Sequence, residues 1–214
     1  MAAPRTPPAA TPSLASPALV ISECQRGILD PARSVSSGLA AHAAARGIVA
    51  RAAALADAFR ARGLPVFHCL IEHRPDQAGM RPNSYLGKVA LRERSMTAGT
   101  EDVEVPAPLT PREGDFVSRR ATGLSAFYGT ELDAMLRLQG IRTIVLAGVS
   151  STVALPGIAL EAVNRGYDVV LAEDCTAGVS PEAHRFFVEN QLAVLSRVRT
   201  AREVTERLAA PDAS

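Results

Sequence analysis

The residues with chemical potential in this chain are a carboxylate, two arginines and a turn of small residues. Glu23 follows the apolar run 18–22, Arg119 and Arg120 follow another apolar run, and residues 148–153 read Gly-Val-Ser-Ser-Thr-Val. A carboxylate can transfer protons, and an arginine can neutralise that carboxylate or hold an anion. A turn that opens a helix presents backbone N–H groups to an anion. These features predict a site for a small, polar and possibly anionic molecule.

The segments that position these residues alternate between predicted strands and helices. Apolar runs predict strands at 18–22, 66–71, 116–118, 141–149, 167–172 and 194–198. Helical spacing predicts helices at 37–62, 130–139, 155–165 and 181–192, with a last one from about 200. The alternation indicates an α/β protein, a three-layer α/β/α sandwich with a central, mainly parallel sheet. Parallel strands end at one edge, so Glu23 and the segment after Val149 are expected to lie together.

Composition restricts the class of protein. The chain has 214 residues, 47% of them apolar, and a formal net charge of +1. This suits one globular domain, expected over 18–208, after a proline-rich tail at 1–17 that we expect to be disordered. The near-zero charge predicts neither nucleic-acid nor membrane binding. The three cysteines and the poor match of the N-terminus to a signal peptide favour a cytoplasmic location.

Three segments together resemble a known family. They are VISECQRGILD at 20–30, GDFVSRRATGLSAFYGTELDAMLRLQGIRTIVLAGVSSTVA at 114–154, and LEAVNRGYDVVLAEDCTAG at 160–178. The chain resembles the isochorismatase-like hydrolase superfamily, which includes nicotinamidases, N-carbamoyl amidases and other cysteine hydrolases. The resemblance implies a three-layer α/β fold, a small-molecule substrate and a homodimer or homotetramer.

The resemblance also exposes a degenerate catalytic triad. The amide hydrolases of the family use Asp, Lys and Cys. The Asp position is Glu23 here, and the nucleophile position is Ala154. The Lys position is Ala121 without a gap, or Arg120 if the loop has one extra residue, which we favour. A methyl group cannot attack an acyl carbon, so the thioester route is closed at Ala154.

The binding groups of the family site are carried over to the turn before Ala154. The resemblance implies a cis peptide bond between Val149 and Ser150, and an anion cradle of backbone N–H groups near Val153 and Ala154. The hydroxyls of Ser150 and Ser151 are candidates to line the same pocket.

Residues from other segments are further candidates for the pocket. His73 is expected at its rim, and Phe127 and Tyr128 could form an aromatic wall, although core packing is an equal alternative for Phe127. The nicotinamidase metal motif has no good counterpart around His68 and His73, so we expect no metal and no cofactor. A metal-dependent amidase would require an ion near Glu72 or His73.

Two functions remain open at this point. True isochorismatases also lack the cysteine and use the first-strand carboxylate as a general acid. The leading hypothesis is therefore a hydrolase that uses Glu23 as general acid or base, with Arg120 as its electrostatic partner. The alternative is a catalytically inactive member that serves as a ligand-binding or assembly protein. An enclosed cavity shared by Glu23 and Arg120 would favour catalysis.

Overall fold

The fold is a six-stranded sheet with helices on both faces. The computed structural model describes residues 14–208. Most of the predicted tail lies outside that range, but Leu14 is buried in the core and Pro17 begins the first strand. The domain therefore starts before residue 18.

All neighbouring strands are parallel, in the order β3-β2-β1-β4-β5-β6. The strands are β1 Pro17–Ser22, β2 Val66–Ile71, β3 Phe116–Arg120, β4 Thr143–Val149, β5 Asp168–Ala177 and β6 Arg197–Arg199. The helices are α1 Arg26–Leu29, α2 Ser37–Arg46, α3 Ile48–Arg60, α4 Tyr85–Glu93, α5 Leu132–Leu138, α6 Ala154–Asn164, α7 Pro181–Phe187, α8 Ala193–Leu195 and α9 Ala201–Leu208. A 3-10 turn at Glu101–Val103 and a π-helical turn at Val188–Leu192 complete the elements. The predicted three-layer parallel fold is confirmed.

Two apolar cores cover the two faces of the sheet. Helices α2, α3 and α9 pack on one face, where Phe59 is fully buried. Helices α5 and α6 pack on the other, around residues such as Leu155. Strand β4 is buried along its whole length, because neighbouring strands flank both its edges and helices cover both its faces. Such a strand needs the continuous apolar run that its sequence has.

The structure corrects two predicted elements. The predicted helix at 37–62 is two helices, α2 and α3, which meet at an angle of 57°. Gly47 separates them with a φ of +61°, a left-handed conformation that suits glycine and interrupts a helix. The segment 72–114, which lacks a clear periodicity, contains α4, whose first turn is capped by Ser84 accepting from the Gly87 N–H. Ser180 caps α7 by accepting a hydrogen bond from the Ala183 N–H at 3.2 Å.

Within residues 14–208, no single helix is long and apolar enough to cross a membrane. The bent pair α2 and α3 is long and apolar enough for a membrane span only when the two helices are counted as one. Both helices place apolar residues in the core of the domain.

Candidate active site

A buried ion pair between Glu23 and Arg120 lies at the carboxyl edge of the sheet. Nη2 of Arg120 donates to Oε1 of Glu23. The Arg120 side chain is 3% exposed and that of Glu23 is 11% exposed, so little water screens their attraction. The structure thus brings together the two charged residues that the sequence analysis favoured.

The strand register explains how residues so far apart in the sequence meet. Ile71 of β2 is the partner of Arg120 on β3, and the N–H of Glu23 donates to the Cys69 carbonyl at 2.8 Å. The Arg120 side chain therefore reaches across the end of β2 to β1. Strand β3 extends to Arg120, two residues further than predicted, which fixes the backbone of this arginine in the sheet.

Glu23 has an unusual backbone conformation at the end of β1. Its φ is +54°, a left-handed value that costs a non-glycine residue about 1 kcal/mol or more. Such conformations persist where the surrounding structure holds a side chain for a purpose. This observation supports a functional role for the Glu23 carboxylate.

The other two candidates for the lysine position do not contact Glu23. Nε of Arg119 forms an ion pair with Oε2 of Glu72 at 2.7 Å, and the Arg119 side chain is 55% exposed. Ala121 is an exposed residue just beyond β3. Arg120 is the cation that accompanies the carboxylate.

One nitrogen of Arg120 remains without a partner. Nε donates to the Gly123 carbonyl at 3.2 Å and Nη2 to Glu23, whereas Nη1 is buried with no acceptor among the described residues. A buried guanidinium N–H without an acceptor costs free energy unless a polar group binds there. Nη1 therefore keeps an unused hydrogen-bond donor beside Glu23.

The turn from Val149 to Ala154 lies beside this pair. Ser22 of β1 is the register partner of Gly148 on β4, so Glu23 and the turn leave adjacent strands at the same level. Gly148 has a φ of +96°, and a Cβ there would lie 2.2 Å from the Ser22 carbonyl oxygen. Only glycine permits this close approach of the two strands. The Val149–Ser150 peptide bond is cis, at the predicted position.

The backbone N–H groups of the turn differ from the expectation at one residue. The Val153 N–H already donates to the Ser150 carbonyl at 3.3 Å, and the Leu155 N–H donates to the same oxygen at 3.0 Å. In residues 14–208, the N–H groups of Thr152 and Ala154 have no protein acceptor. These two groups lie at, or just before, the N-terminal and positive end of α6.

The remaining turn residues are mostly buried. Val149 belongs to the core on the α3 face, and Val153 is exposed. Ser150 is 7% exposed, and the Thr152 hydroxyl donates to its hydroxyl at 3.4 Å. Ala154 is 2% exposed and begins α6.

The aromatic candidates occupy different places. Phe127 lies in the core on the α6 face, stacked on Tyr167 at 6.3 Å with the Arg165 guanidinium 4.6 Å from its ring centre. Tyr128 is 58% exposed, and its ring lies against Gly123, whose carbonyl binds Arg120. Tyr128 thus packs on the loop residue whose carbonyl accepts from Arg120.

The histidines and nearby acids have protein partners. Nδ1 of His73 bonds to the Ser95 carbonyl at 2.9 Å, and burial lowers the pKa of this imidazole. His68 contacts Asp115 at 3.2 Å, and Glu72 is paired with Arg119. In the described part of the chain, no three His, Cys, Asp or Glu side chains are grouped as a metal site would require.

The three cysteines are packed in the two cores. Cys24 and Cys175 lie on the α3 face of the sheet, and Cys69 lies on the α6 face. Burial raises the pKa of each thiol to about 12. A thiol with such a pKa holds little thiolate near neutral pH, so none of the three has the properties of a nucleophile.

A hydrogen-bonded chain next to the turn was missed by the sequence analysis. The Ser151 hydroxyl bonds to Nδ1 of His184 at 2.9 Å, and Nε2 of His184 bonds to Glu173 at 2.8 Å. Arg46 donates to the same Glu173 oxygen at 2.7 Å. These residues come from distant segments, and only the position of His184 after the Ser180 cap could have placed it on a helix.

Comparison with known proteins identifies the fold and its relatives. A family model described as the isochorismatase domain matches residues 17–203. The isochorismatase family protein YecD of Escherichia coli O157:H7 is 32% identical over 192 residues, covering 89% of this chain and 95% of YecD. The ureidoacrylate amidohydrolase RutB of Methylorubrum extorquens is 34% identical over 93 residues, which cover 44% of this chain and 37% of RutB.

Solved structures give the same result. An isochorismatase family protein from Desulfovibrio vulgaris superposes with a TM-score of 0.79 at 26% identity, covering 91% of this chain and 99% of that one. The N-carbamoylsarcosine amidase of Thermoplasma acidophilum superposes with a TM-score of 0.68 at 26% identity, covering 87% and 96%. Because the family model matches residues 17–203, which are most of this chain, the chain belongs to the isochorismatase family of hydrolases.

Proposed function

We propose that this protein hydrolyses a small anionic molecule without a covalent intermediate, using Glu23 to transfer protons. The observation that supports this most strongly is the buried Glu23–Arg120 pair, whose free Nη1 lies at the same edge of the sheet as the unpaired N–H groups of Thr152 and Ala154. The proposal keeps the family's electrostatic site and dispenses with the nucleophile that Ala154 cannot supply.

In the proposed reaction, Glu23 starts as a general base. A carboxylate in an ion pair with arginine is the ionised partner, and it accepts a proton from an attacking water. With an amide, the resulting hydroxide adds to the carbonyl carbon and the carbonyl double bond opens to an oxyanion; the protonated Glu23 then returns the proton to the leaving nitrogen as the carbonyl re-forms and the scissile bond breaks. With a vinyl ether such as isochorismate the order is reversed: protonated Glu23 first gives its proton to the alkene carbon, water adds to the cation that forms, and Glu23 takes up the proton that this water releases. Arg120 cannot take part in this transfer, because a guanidinium stays protonated, and its role is to hold charge.

The anionic part of the substrate is assigned to the donors around this carboxylate. Nη1 of Arg120 and the N–H groups of Thr152 and Ala154 are the candidates. Donors fixed before the reaction stabilise developing negative charge efficiently, because they need no reorganisation. The methyl group of Ala154 leaves this position without the side chain that attacks substrate in the amide hydrolases.

Turnover of isochorismate and of a panel of small amides tests the proposal. We expect the wild type to hydrolyse at least one of them, Glu23→Gln to lose at least about 100-fold in kcat, and iodoacetamide to leave the wild type active. Arg119→Gln is the matched control, since this exposed neighbour of Arg120 does not contact Glu23, and it should retain wild-type rates.

A second candidate function is a binding protein that has lost catalysis. The two observations that favour it are the methyl group of Ala154 and the arginine at the family's lysine position. A silent wild type, together with amide hydrolysis that appears only in Ala154→Cys, would support this candidate and refute the nucleophile-free reaction.

A further inference from the structure

A continuous chain of four side chains connects the protein surface to the turn of the candidate site. Arg46 on α2 donates to Glu173 on β5, Glu173 accepts from His184 on α7, and His184 bonds to Ser151 in the turn. The three contacts measure 2.7, 2.8 and 2.9 Å, all in the range of good hydrogen bonds.

The donor and the acceptor of each hydrogen bond between Glu173, His184 and Ser151 follow from the charge on Glu173. The hydrogen bond from His184, together with the Arg46 charge, lowers the pKa of Glu173, so its carboxylate is ionised near neutral pH. Nε2 of His184 therefore carries the proton that it donates to Glu173. In the neutral imidazole, Nδ1 then accepts the proton of the Ser151 hydroxyl. The chain is fully satisfied when it is arranged in this way.

Ser151 resembles the serine of a hydrolytic triad, but its surroundings do not suit that role. The residue is 0% exposed, and a Cβ built on Gly178 would lie 2.6 Å from its hydroxyl oxygen. A nucleophile must reach a substrate carbon, which this enclosed oxygen cannot do. Its hydroxyl is therefore a structural anchor.

The anchor acts on the part of the backbone that carries the free donors. The Ser151 N–H donates to the Ala177 carbonyl at 2.9 Å, while its hydroxyl is held by His184. Ser151 is thus fixed at two points, directly before the unpaired N–H of Thr152 and three residues before that of Ala154. A rotation of Ser151 would redirect both N–H groups.

We infer that His184, which Glu173 orients, is a positioning residue that holds the turn so that the Thr152 and Ala154 N–H groups point toward a bound anion. This inference rests on the proposed function for its catalytic consequence. Its structural part concerns the orientation of two backbone amides, which can be measured without any turnover.

Two substitutions of His184 separate the halves of the chain. In His184→Asn, the amide replaces Nδ1 and can still bind Ser151, but it cannot reach Glu173. In His184→Gln, the longer amide replaces Nε2, so it keeps Glu173 and loses Ser151. We expect the ¹⁵N–¹H shifts of Thr152 and Ala154 to change clearly in His184→Gln and in Ser151→Ala, and less in His184→Asn.

A second cluster of an arginine, a carboxylate and a histidine elsewhere in the protein provides a matched control. Arg60 donates to Asp115 at 2.6 Å, and His68 contacts the same oxygen at 3.2 Å, with no link to the turn. His68→Gln is expected to reduce stability without moving the Thr152 or Ala154 resonances. Unchanged resonances in folded Ser151→Ala, or equal changes in His68→Gln, would overturn the inference.

Kinetics provide a second readout on whichever substrate the wild type or Ala154→Cys turns over. Misdirected donors should lower kcat by about 10- to 100-fold in His184→Gln while KM changes by less than about threefold. His184→Asn should recover most of that loss, which a merely structural defect would not do. If no substrate is turned over, the proposed function fails, and the amide shifts still decide the positioning role.

Discussion

Replacing Arg120 by methionine is expected to leave the Glu23 carboxylate buried without its cation. Methionine has a length similar to that of the arginine stem, so the apolar packing is largely retained while the charge is removed. The Glu23 side chain is 11% exposed and that of Arg120 is 3% exposed, so water cannot replace the lost partner without rearrangement. Removing one member of such a buried pair costs about 3–5 kcal/mol. The lost hydrogen bond to Gly123 adds about 1 kcal/mol.

This loss is large beside the stability of a typical domain, which is about 5–15 kcal/mol. Urea unfolding followed by circular dichroism measures it as a fall in the unfolding midpoint at constant slope. The double variant Glu23→Gln/Arg120→Met removes both charges, and we expect it to be more stable than Arg120→Met alone. Double-mutant analysis then gives the coupling energy of the pair.

Arg119→Met is the control for the same substitution at the neighbouring position. The Arg119 side chain is 55% exposed and its Glu72 partner is 30% exposed, so this pair contributes about 1 kcal/mol or less. A loss below about 1 kcal/mol in Arg120→Met, or a loss equal to that in Arg119→Met, would show that the Glu23 carboxylate is hydrated and would refute the buried-pair reasoning.

Three further predictions concern the thiols, a glycine and an acid. The cysteines, whose burial raises each thiol pKa to about 12, should react with Ellman's reagent only in denaturant; rapid labelling of the native protein would contradict their core positions. Gly148→Ala should prevent soluble folding or cost several kcal/mol, because the new Cβ would lie 2.2 Å from the Ser22 carbonyl oxygen. Gly140→Ala, with a φ of +66° and no atom within 4 Å, should cost only about 1 kcal/mol in the same urea assay. Burial opposes ionisation of Asp115, but the hydrogen bonds from Arg60 and from the Arg112 N–H, together with the nearby positive charge, outweigh it and lower the pKa of this carboxyl below its usual 3.8. The stability it contributes is therefore present above that value and is lost as the pH falls below it, so Asp115→Asn should flatten the acid limb of the stability profile; an unchanged limb would exclude this contribution.

Several parts of the site could be predicted because their information is local. The apolar run before Glu23 predicts a buried strand, and a strand of a parallel sheet delivers the next residue to the carboxyl edge. The prediction that Ala154 stands at the family's nucleophile position likewise rests on the local pattern of residues 148–154. The boundaries of α2 and α3 were less accessible, because the helical spacing continues through the Gly47 break.

The amino-acid sequence by itself determined the alternation of strands and helices and the position of the carboxylate at a strand end. Only the tertiary structure decided which residue lies beside Glu23. The choice between Arg120 and Ala121 depends on the register of β3 beside β2. The tertiary structure also assembled Arg46, Glu173, His184 and Ser151 into one chain of hydrogen bonds. Such contacts join segments far apart in the sequence, and they are fixed by strand order and by the packing of helices on the sheet, which no local pattern of residues encodes.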